Sequence, residues 1–241
     1  DGRRYFDNSQ GHLELELDMS LKRLGLEQVD LFYVHRKDKD TEIEEVTESL
    51  SKLIKKGKIK QFGFSEIAPT SLERASNVHP VAAVQSEYSL ATRYPELGLL
   101  QKCLSLGTTL VAFSPVGRSI LTDNPHNRAR AEKMPFLKNN PRFMSPNLEK
   151  NVEVTEGFRL FARERGYSAA SLSIAWLLSQ GPHILPIPGT RNPKRLEELV
   201  QGIYLKLTED DLREIDNLLP VGWAHGDRYS TEQWVGPERY S

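Results

Sequence analysis

The stretch that decides the fold is Val29-Asp30-Leu31-Phe32-Tyr33-Val34-His35-Arg36, an apolar run that ends abruptly in a histidine and then in charge. Its length and its content of aromatic and β-branched residues predict a buried strand from Val29 to His35. Parallel α/β folds keep their reactive side chains at the carboxyl ends of their strands. A strand that ends in an imidazole delivers the ring to that rim, so His35 is the first candidate for a catalytic residue.

Helical and strand patterns alternate along the rest of the chain. The predicted strands are Val29 to His35, Ile59 to Ser65, Val81 to Gln85, Thr109 to Ser114 and Ile184 to Pro188. The predicted helices are Gly11 to Gly25, one capped by Thr41 and stopped at Gly57, Thr70 to Asn77, Pro95 to Leu106, Val152 to Arg165, Ser168 to Ser179, Pro193 to Val200 and one capped by Thr208. This alternation predicts βα repeats whose five strands can all lie parallel.

Length and charge narrow the classes of protein. The 241 residues suit one large α/β domain over residues 1–241, since barrels of this class run to about 250 residues. The formal net charge is -1 and no long basic block occurs, so we expect no nucleic acid partner. The longest apolar runs fall far short of the roughly 20 residues of a membrane helix, and Asp1-Gly2-Arg3-Arg4 lacks the apolar core of a signal peptide. We therefore expect no membrane span and a cytoplasmic location.

Cysteine and histidine give little support for nucleophilic or metal chemistry. The single cysteine, Cys103, excludes an internal disulfide, and its apolar neighbours favour a packed thiol over a nucleophile. The remaining histidines are isolated from one another, which favours surface or satisfied side chains over metal ligands; they are His12, His79, His126, His183 and His225. We expect no metal site.

Two segments lack a regular pattern. Residues 117–150 carry four prolines among asparagines and basic residues, which predicts a long surface excursion that serves either as a lid or binding loop or as surface decoration. The tail from Trp223 to Ser241 scatters aromatic residues among glycines and charges, so we expect a strap over the body rather than a new element.

A second informative stretch is Pro186-Ile187-Pro188-Gly189-Thr190-Arg191-Asn192-Pro193-Lys194-Arg195, where a strand turns through glycine into a helix start that carries three cations. Amides at a helix amino terminus bind anions, and guanidinium groups add paired contacts to phosphate oxygens. The stretch therefore predicts a phosphate pocket. A capped helix with solvated basic residues is the alternative on this segment alone.

The predicted strand ends place an imidazole, two hydroxyls and a carboxamide on one rim. His35, Ser65, Gln85 and Ser114 supply these groups. Such a set can orient and polarise a carbonyl or an amide, whereas paired carboxylates and a nucleophile elbow are absent from the strand ends.

The motifs, in their order along the chain, resemble the aldo-keto reductases, in particular the bacterial and fungal branch that includes pyridoxal reductases. They are Asp30-Leu31-Phe32-Tyr33-Val34-His35, Gly63-Phe64-Ser65, Gln85-Ser86-Glu87-Tyr88, Phe113-Ser114-Pro115-Val116-Gly117-Arg118 and Pro188-Gly189-Thr190-Arg191-Asn192. The resemblance covers nearly the whole chain. It implies a (β/α)8 barrel that binds NADPH in an extended pose across the carboxyl ends of its strands.

The resemblance also implies roles for individual residues. His35 is expected to orient the substrate carbonyl, Ser65 and Gln85 to hold the nicotinamide carboxamide, and Phe113 to stack on the nicotinamide. The positions that match the rest of the cofactor site are Ser114, Pro115, Gly117 and Arg118 along the pyrophosphate, Gly189, Thr190, Arg191 and Arg195 near the 2′-phosphate, and Glu198 at the adenine. His35 and the turn near Thr190 are thus expected to hold opposite ends of one extended cofactor.

Departures from the family pattern bear on activity. Glu66 stands where many members carry asparagine, and Ser119 stands where glycine is usual. The catalytic aspartate, tyrosine and lysine of the first βα units are not found, so His35 alone of the four catalytic positions is carried over. Only about five of eight βα units are predicted, which leaves unpaired strand edges and an expected low stability. We expect a fragment or a truncated gene product, which the lack of an initial methionine favours, rather than an assembly that supplies the missing edge.

The leading hypothesis is therefore NADPH-dependent reduction of a small aldehyde or ketone, impaired in this chain. A non-catalytic NADP(H)-binding or regulatory barrel is the main alternative, and an isomerase or lyase that uses the Gly189 to Arg195 pocket for a substrate phosphate is a third. The sequence does not determine the carbonyl substrate or the oligomeric state.

Overall fold

A computed structural model describes residues 5–240, so residues 1–4 and residue 241 of the predicted domain lie outside the described residues. The described residues contain five strands: β1 (Val29–Val34), β2 (Ile59–Ser65), β3 (Ala83–Glu87), β4 (Thr109–Phe113) and β5 (Ile184–Ile187). Their helices are α1 (Gln10–Leu24), α2 (Ile43–Lys55), α3 (Pro69–Val78), α4 (Leu99–Leu106), α5 (Arg128–Glu132), α6 (Asn147–Glu164), α7 (Ala169–Ser179), α8 (Pro193–Gln201) and α9 (Glu209–Leu218). No helix among these residues is long and apolar enough to cross a membrane.

The chain divides into two compact units. The first contains the chain up to Ser86, Tyr94–Val111 and the residues from Val235 on, and the second contains Glu87–Arg93 and Ala112–Trp234. The predicted domain of residues 1–241 as one body stays a prediction.

The first unit is a parallel sheet with a row of helices beside it. β1 pairs with β2 and β2 with β3, both parallel, as the alternating pattern predicted. β4 begins beside β3, because the Thr109 amide donates to the Ala82 carbonyl over 3.0 Å. Neighbouring helices in the chain pack on one another from α1 to α4. Each βα step therefore adds one strand and one helix to the same two layers.

Helix α1 shows how the sequence sets these boundaries. The Ser9 side chain accepts from the His12 amide at the amino end, and Gly25 ends the helix in the left-handed conformation, as predicted. Leu13, Leu17 and Leu21 are buried, whereas Leu24 is 61% exposed and does not belong to the buried stripe. The predicted packed thiol is also confirmed: Cys103 on α4 is buried, and burial raises its pKa to about 12.

Several predicted boundaries were wrong for local reasons. α2 begins at Ile43 after Glu42, because the Thr41 amide and hydroxyl bind the Asp38 carboxylate instead of capping the helix. β3 begins two residues later than predicted, since the Val81 carbonyl accepts from the Thr108 hydroxyl.

Three further elements differ in length. The helix predicted from Pro95 is divided at Gly98 (φ 134°) into a 3-10 turn and α4. β4 stops before Ser114, which adopts a left-handed φ of 52°. α6 begins at Asn147 inside the predicted excursion, which also contains α5.

The second unit packs α6 on α7 and α9, and α7 on α8. α7 is apolar on all sides and buried from Ala169 to Leu177, and its Trp176 ring lies 5.5 Å from the Tyr88 ring. Thr208 and Asp211 form the predicted capping box of α9. The tail up to Trp234 has no helix or strand among its described residues, and Trp223 anchors it by donating to the Leu90 carbonyl over 2.8 Å. The predicted strap is confirmed in this part.

A buried carboxylate at the end of β3 holds the irregular parts of this unit. Glu87 lies 2.6 Å from the guanidinium of Arg118 and 3.9 Å from those of Arg142 and Arg228. The Thr92 hydroxyl donates to the same carboxylate over 3.1 Å. Arg118 lies at the start of the excursion, Arg142 lies farther along it and Arg228 lies in the tail, so one side chain joins positions that are distant in sequence.

The arginines keep this carboxylate ionised. Burial by itself would raise the pKa of Glu87, but Arg118, Arg228 and Arg142 outweigh it, and the pKa lies below the ordinary value of 4.5. Arg228 is itself fully buried, and its guanidinium lies over the Tyr229 ring at 4.7 Å. Removal of this anion would leave a concentration of positive charge in a low dielectric.

We predict that Glu87→Gln lowers the free energy of unfolding by about 3–5 kcal/mol at pH 7, because it leaves buried guanidinium groups without their anion. Urea unfolding of the variant and the wild-type protein measures the difference. Glu132→Gln, which removes an exposed carboxylate paired with Arg128, is the control and should cost less than about 1 kcal/mol.

The effect of Glu87→Gln should also depend on pH. The folded pKa of Glu87 is depressed, so its contribution is complete above the ordinary carboxyl pKa of 4.5 and is lost as the pH falls through the lower folded value. The difference between wild type and variant should therefore shrink in acid. A difference that grows in acid would contradict this assignment.

Gly63 on β2 gives a second prediction. A Cβ at this position would lie 2.6 Å from the Ala83 carbonyl oxygen and 2.6 Å from the Tyr33 ring. Since the carbonyl belongs to the paired strand, it cannot move aside cheaply, and we expect Gly63→Ala to destabilise the protein by about 1–3 kcal/mol in thermal or urea unfolding. Gly11→Ala in α1 meets no atom within 4 Å and should instead stabilise the helix slightly. Equal effects of the two substitutions would disprove the steric argument.

Candidate functional site

The first unit brings together three of the predicted site residues. Val34 pairs with Phe64, and Ser65 pairs with Gln85, so His35, Ser65 and Gln85 follow or occupy the carboxyl ends of three adjacent parallel strands. His35 is exposed, whereas Ser65 is buried. The register places these three positions near the same end of the sheet, and a shared site formed by their side chains stays a prediction.

The Ser65 hydroxyl is fixed by its neighbours. It donates to the Gln85 carbonyl over 3.0 Å and accepts from the buried Arg36 guanidinium over 2.8 Å. A hydroxyl has one donor and two acceptor positions, so one acceptor position is left after these contacts. Ser65 therefore keeps the capacity to accept from one further N–H donor.

The end of the tail belongs to this unit and supports the same edge. The Glu238 carboxylate accepts from the Ala68 amide over 2.6 Å and from the Ser71 hydroxyl over 3.0 Å, which caps α3 at its positive end. The Glu238 amide donates to the Glu66 carbonyl over 2.8 Å. Glu66, which stands where the family resemblance expects asparagine, is buried with a left-handed φ of 59°.

The second unit contains a cavity of about 750 Å³. One wall comes from the turn after β5 and from α8, and the other comes from the excursion after β4. Its lining includes Arg118, Ser119, His126, Arg130, Phe136, Gly189, Thr190, Arg191, Asn192, Arg195 and Glu198. Six residues predicted from the sequence, Arg118, Gly189, Thr190, Arg191, Arg195 and Glu198, therefore line one cavity.

Four arginines and two acidic residues, Asp123 and Glu198, line the cavity, so its charge is positive. Among residues 5–240, the guanidinium groups of Arg130, Arg191 and Arg195 form no ion pair, while Arg118 is paired with Glu87. Cations that line a cavity without counter-ions favour an anionic ligand with several oxygens. The alternative of a capped helix with solvated basic residues does not explain why the charges converge on a cavity.

The start of α8 is ordered as the sequence predicted. The Asn192 side chain accepts from the Lys194 amide over 3.0 Å, and Pro193 occupies the first turn of the helix. The Thr190 hydroxyl accepts from the Asn192 amide over 3.1 Å. These contacts fix the turn that carries Arg191 and Arg195.

The segment after β4 enters the cavity through an unusual backbone. Gly117, Arg118 and Ser119 have consecutive positive φ angles of 56°, 52° and 93°. A φ of 93° strongly favours glycine, so Ser119 is strained where the family resemblance expects glycine. Phe113 at the end of β4 and Ser114, Pro115 and Gly117 after it lie outside the lining of the cavity, and their contacts with a cofactor stay a prediction.

The cavity residues that the sequence reasoning missed include a histidine and an arginine of the excursion. His126 was interpreted as an isolated histidine, and Arg130 was not singled out. Asn127 caps α5 by accepting from the Arg130 amide over 3.0 Å, and this asparagine before a short basic helix is the one sequence signal near them. Their approach to α8 could not be deduced from spacing, because about 65 residues separate them along the chain.

Comparisons with known proteins agree with this geometry. A model of the aldo/keto reductase family matches residues 1–220. The chain is 40% identical over 215 residues to "Probable aldo-keto reductase 1" of Glycine max, which covers 88% of the chain and 61% of the relative. It is 37% identical over 231 residues to the NADP(+) aldo-keto reductase yakc of Schizosaccharomyces pombe, with coverage of 95% and 68%.

Solved structures share the fold. The glycerol dehydrogenase AKR11B4 of Gluconobacter oxydans superposes with a TM-score of 0.79 at 27% identity, over 89% of this chain and 65% of that one. A thermostable aldo-keto reductase, Tm1743, solved with the inhibitor epalrestat, gives a TM-score of 0.70 at 25% identity, over 88% and 67%.

The chain spans 61% and 68% of the length of the two curated relatives. The family model nevertheless covers most of the chain, and the parallel strands and the cavity agree with it. The chain belongs to the aldo/keto reductase family.

Proposed function

We propose that the protein reduces a small aldehyde or ketone to an alcohol with NADPH as hydride donor. The observation that carries this proposal is the cavity of the second unit, where guanidinium groups without counter-ions lie on the positions that the resemblance implies for the adenosine phosphate. The curated relative yakc, named for NADP(+), supports the choice of cofactor. The specific likeness to the pyridoxal reductase branch, the complete barrel of eight βα units and a cytoplasmic location belong to the same proposal.

The residues of the cavity fit a phosphorylated nucleoside. Arg191 and Arg195 provide two planar sets of N–H donors, and Thr190 adds a hydroxyl. A 2′-phosphate carries close to two negative charges at pH 7, whereas the 2′-hydroxyl of NADH carries none. Two uncompensated guanidinium groups therefore favour NADPH. Glu198 lines the same cavity and is proposed to contact the adenine.

The strand ends of the first unit are proposed to serve the reactive end of the cofactor. Ser65 keeps one acceptor position for the nicotinamide carboxamide, Gln85 lies beside it, and Phe113 is proposed to stack on the ring. When bound, reduced nicotinamide supplies a hydride to the carbonyl carbon. The exposed His35 at the end of β1 is proposed to donate to the carbonyl oxygen and to hold it in one orientation.

A reductase also needs a proton for the alkoxide that hydride transfer creates. The resemblance gives this role to a tyrosine, assisted by an aspartate and a lysine, and His35 is the one catalytic position matched in this chain. A general acid contributes roughly 10²- to 10⁴-fold to a rate. We therefore propose that the residues of this chain alone give impaired turnover.

A second candidate function follows from the same observation. The cation-lined cavity is formed within the second unit, while the catalytic set matched in the chain is limited to His35. A non-catalytic protein that binds NADP(H) would need the cavity but not the catalytic residues. Quenching of tryptophan fluorescence by NADPH, with no NADPH oxidation against a broad panel of aldehydes in the full-length protein, would favour this alternative over the reductase.

The cofactor preference gives a direct prediction. Arg191→Gln combined with Arg195→Gln should weaken NADPH binding by about 10- to 100-fold and leave NADH binding nearly unchanged, because only NADPH carries the 2′-phosphate. Fluorescence titration of both cofactors measures the effect. Lys194→Gln is the matched control, since Lys194 lies between the two arginines in sequence but outside the lining of the cavity. An equal loss for NADPH and NADH would contradict a phosphate site.

The role of His35 gives a prediction on rate. In the full-length protein, His35→Gln should lower kcat by about 10²-fold or more while NADPH affinity changes by less than about twofold, since the side chain acts on the carbonyl and not on the cofactor. His79→Gln, which changes a half-buried imidazole at the carboxyl end of α3, should leave kcat unchanged. A normal kcat in the His35 variant would contradict the proposed role of His35 at the carbonyl oxygen.

A further inference from the structure

We infer that His126 and Arg130, on the excursion after β4, complete the phosphate site from a second wall, so that NADPH binding takes up a proton at His126. This inference rests on the proposed function and deepens it. The resemblance assigns the phosphate to the turn near Thr190 and to α8. The cavity shows that a different segment brings its own imidazole and guanidinium to the same space.

The position of this second wall is fixed by contacts rather than left to a mobile loop. The His126 amide donates to the Ser119 hydroxyl over 3.0 Å, and the Asn127 side chain accepts from the Arg130 amide over 3.0 Å. Ala131, the neighbour of Arg130 on α5, is buried. The strained Ser119 therefore has a function that glycine would lack, because its hydroxyl accepts from the amide of His126, two residues before α5.

Arg128 and Arg130, in the first turn of α5, differ in whether their charge is paired. Arg128 pairs with Glu132 over 2.8 Å and is exposed, so its charge is compensated. Arg130 forms no ion pair among the described residues and lines the cavity. Its guanidinium therefore adds to the field of Arg191 and Arg195.

The surroundings of His126 hold the imidazole neutral. Burial lowers its pKa, and the charges of Arg130 and Arg195 lower it further. Its Nδ1 is buried and has no hydrogen-bond partner. In the absence of a bound anion, no hydrogen bond from the described part of the chain to Nδ1 therefore stabilises the protonated form of His126.

Charged groups face His126 from each neighbouring element. Arg128 and Arg130 lie on α5, Glu149 and Glu153 on α6, Arg191 on the turn, Arg195 and Glu198 on α8, and Asp123 on the excursion itself. The Asp123 carboxylate is engaged, because it accepts from the Ala169 amide at the start of α7 over 3.0 Å. Besides burial, the charges that shift the pKa of His126 are those of Arg130 and Arg195, and both lower it.

An anion in the cavity would reverse this balance. A phosphate dianion close to Arg130 and Arg195 cancels the field that opposes protonation of His126 and replaces it with attraction. The imidazole then gains a proton from solvent as the ligand binds, and by linkage the affinity for the phosphate increases as the pH falls. NADH brings no phosphate to this position and should bind without the proton.

The experiment uses the full-length protein and titration calorimetry with NADPH, NADH and adenosine 2′,5′-bisphosphate. Measurements at pH 7 in two buffers that differ in ionisation enthalpy give the number of protons bound with the ligand. The variants are His126→Gln, Arg130→Gln and the matched control Arg128→Gln. His126→Asn serves as a second histidine variant, and NADH binding confirms that each variant is folded.

We expect Arg130→Gln to weaken NADPH binding by about tenfold and Arg128→Gln by less than about twofold. His126→Gln should match wild type at pH 8 and bind NADPH about three- to tenfold more weakly at pH 6. The 2′-phosphate of NADPH itself titrates with a second pKa of about 6, and this affects binding to the wild type and to the variants alike. The ratio of the NADPH affinities of wild type and variant at each pH therefore cancels the titration of the ligand. Proton uptake should accompany NADPH and the bisphosphate in the wild type and vanish in the His126 variants.

The outcomes separate this inference from the proposed function. If the wild type prefers NADPH but Arg130→Gln and Arg128→Gln behave alike, or if the ratio for His126→Gln does not change with pH, the inference alone is overturned. If the wild type binds NADPH and NADH equally, the proposed phosphate site fails, and the inference fails with it.

Discussion

The second unit depends on the ion cluster around Glu87. A carboxylate that is buried at the end of a strand is costly unless cations compensate it, and here two arginines of the excursion and one of the tail do so. Because the three arginines share this anion, the two ends of the excursion and the tail are held at one point. The cluster also fixes one wall of the cavity, since Arg118 is paired with Glu87 and lines the cavity.

Charge is distributed unequally between the cluster and the cavity. Around Glu87, guanidinium groups are compensated or stacked on rings, as Arg228 is on Tyr229. In the cavity, Arg130, Arg191 and Arg195 remain uncompensated among the described residues. A protein tolerates such groups at low cost where water or a ligand reaches them. The same residue type therefore has a structural role in the interior and a binding role at the cavity.

Local backbone strain links these two regions. Gly117, Arg118 and Ser119 adopt consecutive left-handed conformations, and only the first of them is a glycine. Arg118 is held by its ion pair with Glu87, and Ser119 is held by the bond from the His126 amide. Strain of this kind persists only where surrounding contacts fix the backbone, and it is frequent at ligand sites.

The sequence by itself determined the order of the five strands, the end of β1 next to His35, and the basic helix start at Pro193. These features depend on local periodicity and capping, which are properties of neighbouring residues. Only the tertiary structure decided that Glu87 would collect three arginines and that His126 and Arg130 would face α8. Such contacts join residues that are distant along the chain, and their partners are chosen by packing and burial, which no local pattern records.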